Sequence, residues 1–258
     1  MNARDEIAFL TGSEVRINVL RALQTGTRRP TELADQCGCA RETAQRAVGA
    51  FVERGWAEKR STEEGYRLTR AGEFVANSYE RFERCMIVSN QYRKLLQNLG
   101  RTTAEIDCDT LAETTYTEAT AENPHAPLDR FLSVVGDAPV EEFRGITPIV
   151  SRVFNRAADR VIGDDTAVQL VVDRDVLNTS ASEYPGALER AEELDGFTLY
   201  IAEQPLDFGL LIVDDHAYLG AYDERGNLVA SADGTNEAFL SWSEHAFETV
   251  RKGTDAWS

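Results

Sequence analysis

The sequence predicts an α+β protein with a small helix-and-hairpin domain at its N terminus, one long linker helix, and a mixed α/β domain at its C terminus. Three observations predict this arrangement. Helical periodicity dominates residues 1–70, a near-heptad apolar pattern runs through 71–99, and strand-like and helix-like segments alternate over 100–258. With 258 residues, 42% of them hydrophobic, the chain can bury a separate core in each of two domains.

The first domain is predicted to begin with a helix over EVRINVLRALQ, which Ser13 is placed to cap and Gly26 to end. A short helix, PTELADQC, follows and stops at a turn at Gly38, and a third helix is predicted from about 40 to 54. Apolar residues at helical spacing predict the core faces of the first and third helices. These residues are Val15, Ile17, Leu20 and Leu23 in the first helix, and Ala44, Val48 and Phe51 in the third.

Two strands, WAEKR and GYRLT, joined by the polar turn STEE, complete the pattern of a winged helix-turn-helix. We expect the exposed start of the third helix to enter the major groove of double-stranded DNA, and the hairpin to touch phosphate or the minor groove. The predicted contacts are Arg41, Thr43, Gln45 and Arg46 on the helix, and Lys59, Arg60 and Arg67 on the hairpin. The alternative is a protein-interaction module that uses this surface against another protein without binding DNA.

The charge is distributed unevenly along the chain. The formal net charge is −17, yet residues 1–70 hold 12 basic and 10 acidic residues, so the acidity belongs to 71–258. Lysine occurs at three positions only, and arginine supplies the other 24 basic residues. Excess carboxylate with little lysine favours a halophilic, archaeal protein that stays soluble in multimolar salt, where charge repulsion is screened within about 3 Å. The alternative is an ordinary acidic cytosolic protein.

The four cysteines, Cys37, Cys39, Cys85 and Cys108, agree with a reducing compartment, and their spacing fits neither a redox pair nor a zinc site. We expect Cys37 and Cys39 to pack in the core, with thiol sensing as the alternative. No stretch has the length of a signal peptide or a membrane helix, so we expect a cytoplasmic protein without a membrane partner. Neither a metal nor another cofactor is predicted.

Residues 71–99 are predicted to be a linker and dimerisation element built on one helix from about 72 to 98. Its apolar residues form two successive stripes, Val75, Tyr79, Phe82 and Met86, then Val88, Tyr92, Leu95 and Leu99. A helix with such a seam needs an apolar partner. We therefore expect a homodimer, because two copies can read two half-sites one helical turn apart. The alternative is that the helix packs on its own domains.

Residues 100–258 are predicted to form a mixed sheet flanked by helices that senses a small-molecule effector, or else a ligand-free oligomerisation domain. The predicted strands are LAETTYTEAT, AVQLVV, FTLYIA, FGLLIV, AYLGAYD and LVASA, and the predicted helices are DRFLSVV, SRVFNRAADRVI, GALERAEEL and NEAFLSWSEHAFETVRK. Open α/β sheets bind ligands at the ends of their strands. The candidate ligand residues are Arg152 and Asn155 on the helix after TPIV, Asp173 and Arg174 after one strand, and Glu203 after the next.

The stretch from SEVRINVLRALQ to YRLTRAGEFV resembles the winged-helix domain of archaeal transcriptional regulators. The later stretches ITPIVSRVFNRAADRVI, VQLVVDRDVL and FGLLIVDDHAYLGAYDERGNLVASADGTNEAFLSWSEHAFETVR are similar to the effector domain of the FilR group, first associated with methanogens. Together these stretches cover most of the chain. The resemblance implies a DNA-binding transcriptional regulator with a C-terminal sensing domain, and it does not name the signal.

The stretch FGLLIVDDHAYLGAYD also resembles the central hairpin of phospholipase D-type domains, which some archaeal sugar-responsive regulators use for sensing. Those enzymes need a His-x-Lys-x4-Asp run, in which the His attacks phosphorus and the Lys holds phosphate charge. Counting back from Asp214 puts Asp207 at the His position and Gly209 at the Lys position. We therefore expect a phospholipase D-like sheet without the catalytic motif, no catalytic residue and no enzyme activity.

Overall fold

A computed structural model describes residues 2–61, 65–100, 104–184, 186, 190, 193–194 and 196–256. The chain divides into two compact units, residues 1–83 and 84–258. The boundary falls inside the helix Arg70–Gln91, which therefore belongs partly to each unit.

The first unit contains four short helices, a hairpin and the start of a long helix. These are α1 (Ala3–Thr11), α2 (Glu14–Gln24), α3 (Pro30–Cys37), α4 (Arg41–Glu53), β1 (Ala57–Ser61), β2 (Gly65–Leu68) and α5 (Arg70–Gln91). The three predicted helices and both predicted strands are confirmed, and α3 stops where Gly38 adopts a left-handed conformation. Helix α1 was not predicted, because its apolar residues from Ile7 to Leu10 are consecutive and show no helical period.

The core of the first unit lies between α2, α3 and α4. Ala44, Val48 and Phe51 are fully buried on one face of α4, as their spacing predicts. On α2 the buried face is instead Val19, Leu20, Ala22 and Leu23, while Val15 and Ile17 are half-buried. Ser13 sits at the N-cap of α2 but its side chain makes no capping hydrogen bond, so the helix begins there for backbone reasons alone.

The hairpin pairs β1 and β2 antiparallel, with Glu58 opposite Arg67 and Lys59 opposite Tyr66. Tyr66 also exchanges two backbone hydrogen bonds with Arg28, which adds a short third segment to this β1–β2 hairpin, the wing. Gly65 has φ +97, and a Cβ there would lie 2.3 Å from the Arg28 carbonyl oxygen, so this position requires glycine. Residues 62–64 of the predicted turn STEE lie outside the described residues.

The single helix predicted from 72 to 98 is wrong in one respect, because the structure contains two helices there. Helix α5 ends at Gln91, and a second helix, α6 (Arg93–Asn98), follows. Tyr92 between them leaves helical geometry at φ −92, ψ 15, and its buried hydroxyl donates a 2.8 Å hydrogen bond to the Thr114 carbonyl. The segment from Val88 onward belongs to the core of the second unit, so the second predicted stripe is largely a packing face.

The second unit is a mixed eight-stranded sheet with helices on both faces, as predicted. Its remaining elements are α7 (Cys108–Ala112), β3 (Thr115–Glu118), α8 (Ala126–Val135), β4 (Glu142–Thr147), α9 (Arg152–Val161), β5 (Ala167–Asp173), α10 (Arg174–Glu183), β6 (Phe197–Ala202), β7 (Phe208–Val213), β8 (His216–Tyr222), β9 (Leu228–Gly234), α11 (Glu237–Arg251) and β10 (Thr254–Ala256). The strand order is β10-β6-β5-β4-β7-β8-β9-β3. Strands β4, β5 and β6 are parallel, and the other neighbours are antiparallel.

Alternating side chains give the sheet two packed faces. One face meets α6, α7 and α11, and the other meets α8, α9 and α10. Every residue of β7 is buried, as expected for an apolar strand covered on both sides. Strand β4 and helix α10 were not predicted, because EFRGIT and RDVLNTSASE show no clear period. Most of the predicted helix GALERAEEL lies outside the described residues.

The expectation of four reduced thiols is wrong for one pair. Cys85 on α5 and Cys108 at the start of α7 form a disulfide within the second unit. Beside it, Arg84 pairs with Asp109 at 2.7 Å, so two adjacent links join α5 to α7. Sequence spacing cannot show this pair, because the two cysteines are 23 residues apart and belong to no motif. Across the part of the chain that the structure describes, no helix combines the length and apolarity needed to cross a membrane.

Candidate functional site

The predicted recognition helix α4 presents a basic, exposed start. Because the core residues occupy one stripe of the helix, Arg41, Gln45 and Arg46 point to solvent and Thr43 is half-buried. Among the described residues, no ion pair is recorded for Arg41 or Arg46. Two free guanidinium groups five residues apart on one helix form a surface that can donate hydrogen bonds to phosphate or to base edges.

Gln45 joins the helix to the wing. Its Nε2 donates a 3.2 Å hydrogen bond to the Tyr66 hydroxyl on β2. Lys59 is exposed, and it lies directly opposite Tyr66 in the hairpin register. The structure therefore brings Gln45 and Lys59 to the same side of the wing through Tyr66, a residue that sequence reasoning had not selected.

The other two wing residues are already paired. Arg67 donates from Nε to Oε1 of Glu58 at 2.6 Å, and the Nε of Arg60 lies 3.8 Å from the same oxygen. Glu58 and Arg60 are two apart on one strand and so share a face, a signal that the sequence contained. These pairs partly neutralise the wing, and only Lys59 of the three predicted wing residues has no ion pair recorded within the described chain.

Two arginines before α3 were missed. Arg28 pairs with the wing through its backbone, and its side chain donates a 2.8 Å hydrogen bond to the Thr25 hydroxyl. Arg29 is exposed, and its backbone amide donates to the Glu32 carboxylate. The wing therefore has more positive charge next to it than the seven predicted residues suggest.

Asp173, one of the candidate ligand residues, has a structural role at the end of β5. It is buried, and it caps α10 by accepting a 2.9 Å hydrogen bond from the Val176 amide. Its other oxygen accepts from the Leu206 amide at 3.1 Å. Both carboxylate oxygens are thus engaged by backbone groups, which fixes the turn after the strand.

The remaining four candidates separate into three exposed residues and one that lines a cavity. Arg174 and Glu203 are exposed near the adjacent ends of β5 and β6, and Arg152 is exposed with its guanidinium 5.7 Å from the Tyr184 ring centre. Asn155 on α9 lines a partly open cavity between this helix and the sheet. The structure therefore does not gather the five predicted ligand residues into one site.

The cavity next to Asn155 has a volume of about 110 Å³. Its walls are mainly aromatic and aliphatic, from α8, α9 and strands β4, β5, β7 and β8. Gly209, which stands at the lysine position of the phospholipase D pattern, lies on its floor. Sequence reasoning missed this cavity, because its walls come from segments far apart in the chain.

A charge cluster centred on the buried Asp233 joins α8, β8 and β9. Asp233 on β9 accepts from Arg130 at 2.7 and 2.5 Å and lies 2.9 Å from Nε2 of His216. Burial favours a raised pKa for Asp233, but the hydrogen bonds and charges of Arg130 and His216 outweigh it and lower the pKa overall. Within the described residues, no three histidine, cysteine or carboxylate side chains are grouped to hold a metal ion.

Two protein families match this chain, one near its N terminus and one toward its C terminus. The family described as methanogenesis regulatory protein FilR1, middle domain, matches residues 124–253, and the HVO_A0261 N-terminal domain family matches residues 4–91. No curated protein matches the chain significantly.

Solved structures give weaker similarities. The archaeal chromatin protein TrmBL2 is 12% identical over 93% of both chains, with a TM-score of 0.41. The adhesin competence repressor AdcR from Streptococcus pyogenes is 17% identical over 34% of this chain and 68% of its own, with a TM-score of 0.27. An O-methyltransferase from Nostoc punctiforme is 18% identical over 72% and 59%, with a TM-score of 0.25. At these TM-scores, none of the three supports an argument about fold or function.

Proposed function

Because this chain belongs to the family of the methanogenesis regulatory protein FilR1, which matches residues 124–253, we propose that it is a transcriptional regulator that binds double-stranded DNA. The observation that carries the proposal is the start of α4, where Arg41 and Arg46 are exposed with no recorded ion pair in the described chain. The rest of the protein is strongly acidic. A free basic surface confined to one small unit is what a DNA-reading module requires.

Base contacts are assigned to Arg41, Thr43, Gln45 and Arg46, and phosphate contacts to Lys59, Arg60 and Arg67. Bidentate arginine contacts to guanine carry sequence information, whereas wing contacts to phosphate carry affinity. Gln45 must release Tyr66 to reach a base, so its contribution is smaller than that of the two arginines. Glu58 holds Arg60 and Arg67 in the free protein, and DNA phosphate competes with it for them.

The salt concentration determines how much each kind of DNA contact contributes to affinity. A protein that neutralises about 6 phosphates loses roughly 10⁵ in affinity for a tenfold rise in salt. In the salt-rich cell that the acidic, lysine-poor composition favours, phosphate attraction alone is insufficient. Base contacts and shape fit must therefore supply much of the specific binding energy.

The proposed function is tested by selecting genomic DNA fragments with the full-length protein and measuring their binding across a salt series. Binding to a selected fragment should persist at salt concentrations that abolish binding to a shuffled fragment of the same length. Equal loss of both, or no binding at any salt concentration, would reject DNA reading and favour the protein-interaction alternative.

We also propose that the protein acts as a homodimer. Ile7 on α1 and Phe74 and Phe82 on α5 are exposed around an apolar groove of about 470 Å³ in the first unit. Apolar residues exposed together in this way are characteristic of an interface. Analytical ultracentrifugation of the wild type and Phe74→Glu tests this, and a wild-type monomer at all concentrations would reject it.

The second unit is proposed to be a sensing domain without enzyme activity. We interpret its sheet as phospholipase D-like, with Asp207 and Gly209 in place of the residues that would attack and hold a phosphate. Helix α5 is the chain segment that connects the two units, so a signal in the second unit must act through it or through the oligomeric state. A metabolite that shifts both the melting temperature and the DNA affinity supports this role, and a phosphodiesterase activity would overturn it.

A further inference from the structure

Resting on the proposed regulatory function, we infer that the cavity under α9 binds a small aromatic molecule that carries one polar group. The ring would lie on the sheet between α8 and α9, and the polar group would reach Asn155 and Tyr222. This assigns the chemical class of the effector and its position, which neither the family match nor the phospholipase D-like pattern supplies.

Glycines form the floor of this cavity. Gly145 on β4 and Gly209 on β7 both line it, and Gly220 on β8 lies directly opposite Gly209. All three are on the α8 and α9 face, since Gly145 pairs with Leu211, two residues from Gly209. Glycine weakens a strand interior, so three of them at neighbouring positions are unfavourable for the sheet unless the space above them is used.

The ring of Tyr222 lies over the two paired glycines. A Cβ on Gly209 would meet the Tyr222 hydroxyl at 2.9 Å, and a Cβ on Gly220 would lie 3.5 Å from the ring. The missing side chains therefore make room for a movable aromatic side chain rather than for close backbone approach. Tyr222 also borders a second, outer pocket of about 420 Å³, so a movement of its ring would open the cavity toward that pocket.

The walls match an aromatic ring. Phe131, Phe143 and Phe154 contribute aromatic faces, and Leu170 and Leu211 complete an apolar lining. The volume of about 110 Å³ is comparable to the ~150 Å³ of an apolar cavity that admits benzene. An adjoining space of about 120 Å³ shares Asn155 and Leu170, which leaves room for a substituent on the ring.

Two polar groups are available to a ligand. Among the described residues, neither the Asn155 side-chain amide nor the Tyr222 hydroxyl has a recorded hydrogen-bond partner. Burial raises the pKa of Tyr222, so its hydroxyl stays protonated and can donate. Both side chains are partly exposed, so a hydroxyl or carbonyl on the ligand would replace the water that contacts these groups when no ligand is bound.

The test uses the full-length protein with phenol and benzene, two probes that differ by one hydroxyl. Binding is measured by isothermal titration calorimetry and saturation-transfer NMR. We expect phenol to bind more tightly than benzene by about tenfold, which corresponds to about 1.4 kcal/mol. Tyr222→Phe combined with Asn155→Leu should remove that preference while benzene still binds.

A matched pair of helix substitutions locates the site. Ala158 on α9 lines the cavity, so Ala158→Leu should fill it and weaken phenol binding by at least about tenfold. Ala181 on α10 is exposed, so Ala181→Leu makes the same change outside the cavity and should leave binding unchanged. Alanine and leucine both favour helices, so neither change should unfold the protein, which circular dichroism checks.

The outcomes separate this inference from the proposed function. If neither probe shows saturable binding to the wild type, or if Ala158→Leu binds phenol as the wild type does, the cavity is not the site. DNA binding by the wild type is measured in parallel without any probe. Absence of DNA binding would reject the proposed function. The phenol result would still show independently whether the cavity binds a ligand.

Discussion

Arg41 and Arg46 in the first unit and Arg130 in the second show two opposite uses of arginine. The first unit holds 13 basic and 13 acidic residues, and Arg41 and Arg46 are free of recorded ion pairs among the described residues. The second holds 14 basic and 31 acidic residues, yet Arg130, Arg144 and Arg251 there are all paired with carboxylates. An excess of carboxylates favours such pairing, because each arginine of the acidic unit has many possible partners.

Arg130 contributes to the cohesion of the acidic second unit. In the second unit the side chain of Asp233 is 1% exposed, and Arg130 crosses from α8 to β9 to neutralise it. In the first unit exposed arginines at the start of α4 gain little from the fold and remain available to a partner. Removing each kind of contact tests this contrast, beginning with the buried pair.

Removing Asp233 should damage the second unit most. Asp233→Ala leaves Arg130 and His216 without their buried partner. We expect a cost of about 3 kcal/mol, the lower end for breaking a buried pair, because Arg130 is 32% exposed and keeps part of its hydration. Because folding lowers the pKa of Asp233, its contribution is complete above about pH 4 and is lost as the pH falls below that value. Thermal and urea unfolding at neutral pH measure the loss.

Asp165→Ala is the matched control, because Asp165 is exposed and no hydrogen bond or ion pair is recorded for it within the described residues. It should change stability by less than about 0.5 kcal/mol. If the two variants were equally stable, the arginine in the acidic unit would not be contributing to cohesion.

Reduction of the Cys85–Cys108 disulfide should be the next largest effect. The bond closes a loop of 23 residues in sequence separation, and its loss should destabilise the second unit by about 2–4 kcal/mol. The melting temperature of the wild type should fall on adding a phosphine reductant, and Cys85→Ser with Cys108→Ser should match the reduced protein. The double variant Cys37→Ser and Cys39→Ser should keep the response to reductant, and its loss there would contradict the assignment.

Arg46→Ala should weaken binding to a selected DNA fragment by about 1–3 kcal/mol and relax its base preference at one position. Stability should be unchanged, because the side chain is exposed and joins no recorded pair among the described residues. Arg70→Ala, at an arginine that is 92% exposed at the start of α5, serves as control and should leave footprints unaltered. Unchanged footprints for Arg46→Ala would remove α4 as the recognition helix.

Glu58→Gln should have the smallest effect, and in the opposite direction. It frees Arg67 and Arg60 and removes one negative charge from the wing, so DNA affinity should rise by less than about 1 kcal/mol at low salt, for all sequences alike. A fall in affinity for Glu58→Gln would show that Glu58 orients the wing arginines rather than restraining them.

Lys59→Ala should lower the slope of DNA affinity against salt concentration by about one unit, since this lysine has no competing carboxylate.

Local pattern predicted much of the fold. Helices α2, α3 and α4, the hairpin, and strands β5 to β9 follow from periods of 3.6 or 2 in the sequence. Helix α1, strand β4 and helix α10 do not, since short or charge-rich segments carry no clear period. The long helix was correct in extent but not in continuity, because a single buried hydroxyl contact at Tyr92 lies outside what periodicity can indicate.

The sequence by itself determined which face of α4 is buried, because helical geometry assigns each residue to a side independently of the rest of the chain. Only the tertiary structure decided which groups meet: Gln45 with Tyr66 across 21 residues, Arg130 with Asp233 across 103, and the walls of the cavity around Gly209. Such contacts depend on strand register and on packing between distant segments. Sequence periodicity indicates only the direction in which a side chain points. The partner that it contacts depends on how the whole sheet and its helices pack together.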